Sequence, residues 1–197
     1  MIKIVNADGK SERELLAQIR ARSGETNRRV TSEVGEILEN IRKNGDAAVA
    51  EYTARFDTPP VRFRLDRHDM EKAMEDCDTA FLAALRQAAE NIKAFHERQK
   101  RQSYFDVRSD GVMMGTRIRG LDRVGIYVPG GTAAYPSSVL MNALPAKIAG
   151  VKEIVMVTPP DKNGGCERGI AAAAYIAGVD EIFLCGGAQA VGALAYG

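Results

Sequence analysis

The chain has 197 residues, of which 27% are charged, yet its formal net charge is only +1, which provides no global field to attract nucleic acid or an anionic membrane. Its three cysteines, Cys77, Cys166 and Cys185, show no CxxC spacing, so the sequence indicates neither a disulfide framework nor a cysteine zinc site and fits a reducing cytosol. Neither a signal peptide nor an apolar run of membrane-spanning length is recognised, and we therefore expect a soluble, cytoplasmic protein.

The sequence of residues 1–120 predicts an N-terminal helical region with edge strands. Ser11 and Glu14 have the spacing of a capping pair for a first helix. A second helix is predicted to begin at Thr31 or Ser32 and to end near Asn44–Gly45, before a further helical segment up to Phe56. No nucleophile or metal constellation is found in these first segments.

Two prolines at 59 and 60 then interrupt the helical pattern. After them Val61, Phe63 and Leu65 alternate with arginines, which is the period of a half-buried strand, and we predict an edge strand here. Asp66 and Thr79 have the positions of N-caps for two further helices, the second of which is long.

His96 and Glu97, near the predicted end of that long helix, could suggest a metal site. A metalloprotease pattern requires a second histidine four residues after the first, but Lys100 occupies that position. A histidine in the last turn that interacts with the helix dipole is the interpretation we favour.

The segment 98–119 interleaves basic residues with Tyr104 and Phe105, a pattern that can grip single-stranded nucleic acid. However, Asp106 and Asp110 interrupt the basic run, and Asp110–Gly111 has the composition of a hairpin turn. We therefore favour a solvent-exposed β-hairpin and no nucleic-acid partner.

Residues 123–150 predict one strand, one glycine turn and one helix. The apolar run Val124–Val128 is typical of a buried strand, and Pro129, Gly130 and Gly131 end it. Ser137 and Ser138 stand where a helix would be capped, and Gly150 closes that helix. This arrangement presents free amides to an anion, but the spacing matches neither the dinucleotide fingerprint nor the phosphate loop. A tight strand-to-helix turn remains an alternative to an anion site.

Strands and helices alternate beyond this stretch. The sequence predicts strands at 153–158 and 181–185 and helices at 170–177 and 188–196. Such alternation favours an α/β fold with a Rossmann-like, doubly wound parallel sheet in residues 121–197, which follows the helical region 1–120. Since ligands bind beyond the carboxyl ends of parallel strands, Tyr127–Gly130 and Cys185–Gln189 are expected to line one crevice.

Three spaced motifs stand out in the second part of the chain: Val124–Gly131 (VGIYVPGG), Met141–Gly150 (MNALPAKIAG) and Gly186–Ala190 (GGAQA). Together they closely resemble histidinol dehydrogenase. The resemblance extends from about Arg28 to Gly197. Because family members are considerably longer, the chain is similar to their N-terminal portion and is expected to be a fragment that is incomplete at its C-terminus.

The resemblance implies an NAD-dependent oxidation of L-histidinol to L-histidine in a zinc-containing homodimer. It implies that Tyr127 and Gln189 contact the nicotinamide dinucleotide, and we add Gly130 and Gly131 of the intervening turn as cofactor-binding residues. The family's zinc ligands and its glutamate–histidine acid–base pair match no residue of this chain. The resemblance therefore implies that the chain alone is inactive, with no catalytic or metal-binding residue of its own.

Two other functions remain open from the sequence. A free-standing nucleotide-binding or regulatory module could keep this fold without catalysis, and the segment 98–119 could serve a nucleic-acid binder.

Overall fold

The structure is a computed structural model that describes residues 4–130 and 134–197, with the backbone alone for residues 22–27. Helices and strands alternate through its second half, as the sequence predicts. The elements in chain order are α1 (Ser11–Phe56), β1 (Arg64–Leu65), α2 (Arg67–Glu75), α3 (Thr79–Glu97), β2 (Tyr104–Val107), β3 (Met113–Thr116), β4 (Arg123–Tyr127), α4 (Pro136–Ile148), β5 (Glu153–Thr158), α5 (Arg168–Ala177), β6 (Glu181–Leu184) and α6 (Gly187–Tyr196).

A four-stranded sheet of order β1-β6-β5-β4 forms the centre of the fold. Strands β4, β5 and β6 are parallel, whereas β1 pairs with β6 in the antiparallel direction. This arrangement confirms the predicted α/β fold, the parallel sheet and the edge position of the strand at 64–65. The parallel strands also bring their carboxyl ends to one edge of the sheet.

Helices cover both faces of the sheet. On one face, alternate strand residues such as Ile154, Met156 and Ile182 pack in a core with α2, α3, α4 and α5. On the other face, Val157 and Cys185 pack with α1 and α6. Because β5 lies between these two layers, its residues 154–158 are all buried, and its sequence reads as a continuous apolar run rather than an alternating one. Residues 1–120 thus contribute helices to the layers on both faces of the sheet. The predicted division into a domain of residues 1–120 and a domain of residues 121–197 remains a proposal.

Helix α1 departs from the predicted helix boundaries at Thr31 or Ser32 but agrees with the predicted break at Gly45. Gly45 has φ 53° and ψ −132°, which kinks the helix where the sequence predicted an end. No new helix begins at Thr31 or Ser32, so that prediction was wrong. The helical run through this region contains no proline, and a serine or threonine in a helix starts a new one only where the backbone leaves the helical conformation.

The helix starts show which capping predictions hold. Asp66 caps α2 in a reciprocal capping box with Asp69, as predicted. The Ser11 and Thr79 predictions were wrong. Ser11 is the first residue of α1, whose N-cap is Lys10 without a side-chain cap, and its N–H donates to the carboxylate of Asp8 at 2.7 Å. Helix α3 is capped by Asp78, whose carboxylate accepts the N–H of Phe81 at 3.0 Å.

Helix α4 begins without a side-chain cap, so neither Ser137 nor Ser138 has the predicted role. Pro136 lies in its first turn, where the missing N–H of proline leaves one donor fewer to satisfy. At the other end Gly150 adopts φ 88°, and the N–H of Val151 returns to the carbonyl of Ala146, so the predicted glycine closure is confirmed.

Strands β2 and β3 form the hairpin predicted for the basic segment. They pair in the antiparallel direction, with Gly111 at φ 83° in the turn and an ion pair of 3.1 Å between Arg108 and Asp110. All eight strand residues are exposed. In the described part of the chain, no helix has the length and apolar character needed to cross a membrane.

Candidate functional site at the carboxyl ends of the strands

The loops that follow β4, β5 and β6 pack against one another at the carboxyl edge of the sheet. A Cβ placed on Gly130 would lie 3.3 Å from both the carbonyl oxygen of Pro159 and the Oγ1 of Thr158. A Cβ on Gly186 would lie only 2.6 Å from the Cγ of Pro159. Pro159 therefore contacts both glycine-containing loops, and the glycines permit an approach that a larger residue would prevent.

Tyr127 connects the end of β4 to the start of α6. Its hydroxyl oxygen accepts a hydrogen bond of 3.1 Å from the backbone N–H of Gly187. Residues alternate along a strand, and Gly125, two residues earlier, lies against Leu194 of α6. Tyr127 therefore lies on the α6 face of the sheet, with 37% of its surface exposed to solvent.

Gln189 lies in the first turn of α6 and is 1% exposed. Its Oε1 lies 2.6 Å from the position that a Cβ on Gly187 would occupy. Among the described residues, its Nε2 donor has no hydrogen-bond partner. A buried donor without a partner costs about 1–3 kcal/mol, so a bound polar group would stabilise this side chain.

Thr158, at the end of β5, has the same property. Its side chain is fully buried, and its Oγ1 finds no hydrogen-bond partner in the described part of the chain. Together, Thr158 and Gln189 place two unsatisfied polar groups at the ends of neighbouring parallel strands. Buried polar groups in native proteins almost always have a partner, so these two atoms are candidates to bind a ligand or an ordered water.

Asp57 also lies at this site, although no sequence motif identifies it. The residue follows α1, and its Oδ2 lies 3.3 Å from the position of a Cβ on Gly186. Burial raises the pKa of the Asp57 carboxyl, and a hydrogen bond from the Gly186 backbone opposes the shift by a smaller amount. Asp57 stands in the predicted break before two prolines, and only the tertiary contact with Gly186 identifies it.

The structure places Tyr127, Gly130 and Gln189 at this edge of the sheet. Tyr127 and Gln189 both contact Gly187, and Gly130 lies against the end of β5. Gly131, the fourth residue predicted to bind cofactor, lies outside the described residues.

The histidines and cysteines form no metal-binding group among the described residues. His96 lies in the last turn of α3, and its Nδ1 is 2.7 Å from the Oε1 of Gln99. Burial raises the pKa of Cys185, beside the site, to about 11, and that of Cys166 to about 12, so both thiols are protonated at neutral pH. Within residues 4–130 and 134–197, no three or more histidine, cysteine, aspartate or glutamate residues are grouped closely enough to hold a metal ion.

Comparison with known proteins identifies the family of this chain. The family model described as histidinol dehydrogenase matches residues 20–197. The chain belongs to the histidinol dehydrogenase family. This confirms the resemblance inferred from the three motifs and extends it over a longer part of the chain.

Individual relatives agree with the family assignment. Histidinol dehydrogenase of Bacillus cereus is 54% identical over 169 residues, which are 85% of this chain and 39% of the relative. The enzyme of Clostridium acetobutylicum is 43% identical over 198 residues, which cover 100% of this chain and 46% of the relative. The crystal structure of histidinol dehydrogenase from Elizabethkingia anophelis superposes with a TM-score of 0.79 at 33% identity, covering 85% of this chain and 39% of that one. The chain thus spans less than half the length of these relatives.

Proposed function

We propose that this chain forms part of the NAD-binding cleft of a histidinol dehydrogenase, which oxidises L-histidinol to L-histidine in histidine biosynthesis. The observation that carries the proposal is the buried Nε2 of Gln189, which has no hydrogen-bond partner among the described residues, beside the Tyr127–Gly187 contact at the carboxyl edge of a parallel sheet. This is the edge at which α/β proteins bind nucleotides.

The site residues suit a nicotinamide dinucleotide in different ways. Tyr127 offers a half-exposed aromatic ring for a base or sugar, and the Nε2 of Gln189 offers a hydrogen-bond donor. Gly130 keeps the loop after β4 close to Pro159 and free of a side chain, and we assign Gly131 to the same turn on the resemblance alone. When bound, NAD supplies the acceptor for the hydride that leaves the substrate.

The described residues do not fit a catalytic zinc, which takes three protein ligands that converge on one open position. We propose that the zinc ligands and the acid–base pair of the family lie in the part of the relatives that this chain does not match, and we assign no zinc-dependent step to the residues described above.

The purified chain should therefore bind NAD but not oxidise L-histidinol. Calorimetric titration with NAD tests the binding, and the absence of any binding at millimolar NAD would contradict the proposed function. In a nicotinamide-reduction assay with L-histidinol and added zinc, we expect no turnover. Turnover that persists after controls for contaminating longer enzyme would show that the missing groups are supplied from within these residues.

We also propose a cytoplasmic homodimer with L-histidinol as the small-molecule substrate. The support for self-association is exposed apolar surface, since Tyr104, Phe105, Val107 and Met113 of the hairpin are between 57% and 69% exposed. Exposed patches of this kind are uncommon on monomers. Sedimentation at high protein concentration should detect a dimer or larger species, and a single monomeric species would contradict this proposal.

Neither nucleic acid nor a membrane is among the proposed partners. The basic segment that could have suggested them is interrupted by carboxylates, one of which pairs with Arg108.

A further inference from the structure

Asp57 is a carboxylate at the strand-end site with no ionic partner in the described part of the chain. The ion pairs found among the described residues all join other side chains. An isolated carboxylate in a half-buried position accepts hydrogen bonds and repels other anions. Its surroundings therefore indicate which part of a ligand it can face.

The backbone around Asp57 is fixed at both ends. The N–H of Asp57 donates to the carbonyl of Thr53 at 2.9 Å, and the N–H of Val61 donates to the carbonyl of Gly164 at 3.0 Å. Gly164 belongs to a closed loop after β5, in which Asp161 accepts the N–H of Gly165 at 2.9 Å. The carboxylate is thereby held against Gly186 and beside the end of β5.

The N-terminus of α6 is partly occupied within the protein. The N–H of Gly187 donates to the hydroxyl of Tyr127, and the Asp57 carboxylate lies against Gly186, with its Oδ2 3.3 Å from the position of a Cβ on that residue. In many dinucleotide-binding folds the first N–H groups of a helix receive a phosphate. Here a phosphate would meet the negative charge of Asp57 and find the Gly187 donor taken.

We infer that Asp57 is a specificity-determining residue of the cleft: it accepts hydrogen bonds from sugar hydroxyl groups of the dinucleotide and excludes the 2′-phosphate of NADP. The inference rests on the proposed function, because it names which dinucleotide the same cleft selects. The unpaired groups of Gln189 and Thr158 supply further polar contacts at the same edge. The phosphates of the cofactor then lie away from α6.

The test measures the dissociation constants of NAD and NADP for the purified chain and three variants by calorimetry. Asp57→Asn keeps the size and shape of the side chain beside Gly186 but removes the charge, whereas Asp57→Glu keeps the charge and alters the contact. Asp122→Asn is the matched control, because Asp122 is an exposed carboxylate paired with Lys152 next to the opposite end of β4. Circular dichroism of each variant checks that it is folded.

We expect the wild-type chain to bind NAD at least about tenfold more tightly than NADP, the scale of one charge–charge interaction in a partly solvated site. Asp57→Asn should reduce this preference about tenfold, mainly through tighter NADP binding, while Asp57→Glu and Asp122→Asn retain it. If Asp57→Asn binds NAD tightly and keeps the same preference for NAD over NADP, the proposed role of Asp57 is overturned while the proposed function stands. If Asp57→Asn does not fold, loss of the preference in Asp57→Glu, which retains the charge, would overturn that role. Failure of the wild-type chain to bind NAD would overturn the proposed function and this inference together.

Discussion

The hydroxyl of Tyr127 accepts a hydrogen bond from the backbone N–H of Gly187 and so joins the end of β4 to the first residue of α6. These two elements are separated in sequence by α4, β5, α5 and β6. The contact therefore fixes the geometry of the candidate cleft across the sheet, and Tyr127 has a structural role as well as its proposed role in binding.

Replacement of Tyr127 by phenylalanine should lower the free energy of unfolding by about 0.5–1 kcal/mol, because the Gly187 N–H loses its protein acceptor and water replaces it incompletely. Urea denaturation followed by circular dichroism measures the change. Tyr104→Phe is a suitable control, since Tyr104 lies on the exposed hairpin and is 60% exposed. Equal stability of Tyr127→Phe and wild type would show that the hydrogen bond makes no net contribution.

The stability of the chain should also depend on pH through Asp57. Burial raises the pKa of this carboxyl in the folded state above its ordinary value of 3.8. A raised acid pKa means that the folded protein binds the proton more tightly than the unfolded one, so the contribution of Asp57 to the free energy of unfolding decreases as pH rises from about 3.8 through the folded-state pKa.

Asp57→Asn should remove this contribution. The variant is expected to be more stable than wild type at neutral pH, and the difference should disappear in acid, where Asp57 is protonated in both states. Thermal unfolding of both proteins between pH 3 and 7 tests the prediction. A variant that is less stable at neutral pH, with a difference that grows as pH rises, would show that the ionised carboxylate stabilises the fold through Gly186.

Much of the fold could be predicted because its signals are local. The apolar run of β5 and the glycine at Gly178, which has φ 77° after α5, mark their elements within a few residues of sequence. Helix starts were harder to predict, because serine, threonine and aspartate all serve as caps. Asp78 rather than Thr79 caps α3, and α1 begins after Lys10 without a side-chain cap.

The candidate site was only partly accessible from the sequence. Tyr127 and Gln189 follow from the strand ends and from the family resemblance, since both lie within recognisable motifs. The positions of Asp57 and Thr158 depend on tertiary packing: Asp57 meets Gly186 only because α1 packs against α6, and Thr158 is revealed by the lack of a hydrogen-bond partner at its buried Oγ1. Neither property is encoded in a local pattern of residues.

The affinity of the purified chain for NAD, compared between wild type and Gln189→Ala, tests the proposed cleft most directly. Gln87→Ala provides the matched control, because Gln87 is an exposed glutamine on α3 that hydrogen-bonds Asn91. We predict that Gln189→Ala weakens NAD binding by about 1 kcal/mol, the usual contribution of a neutral hydrogen bond, and that Gln87→Ala leaves it unchanged. Calorimetry that finds the same NAD affinity in folded Gln189→Ala as in wild type would contradict the assignment of the buried Gln189 amide to the cofactor.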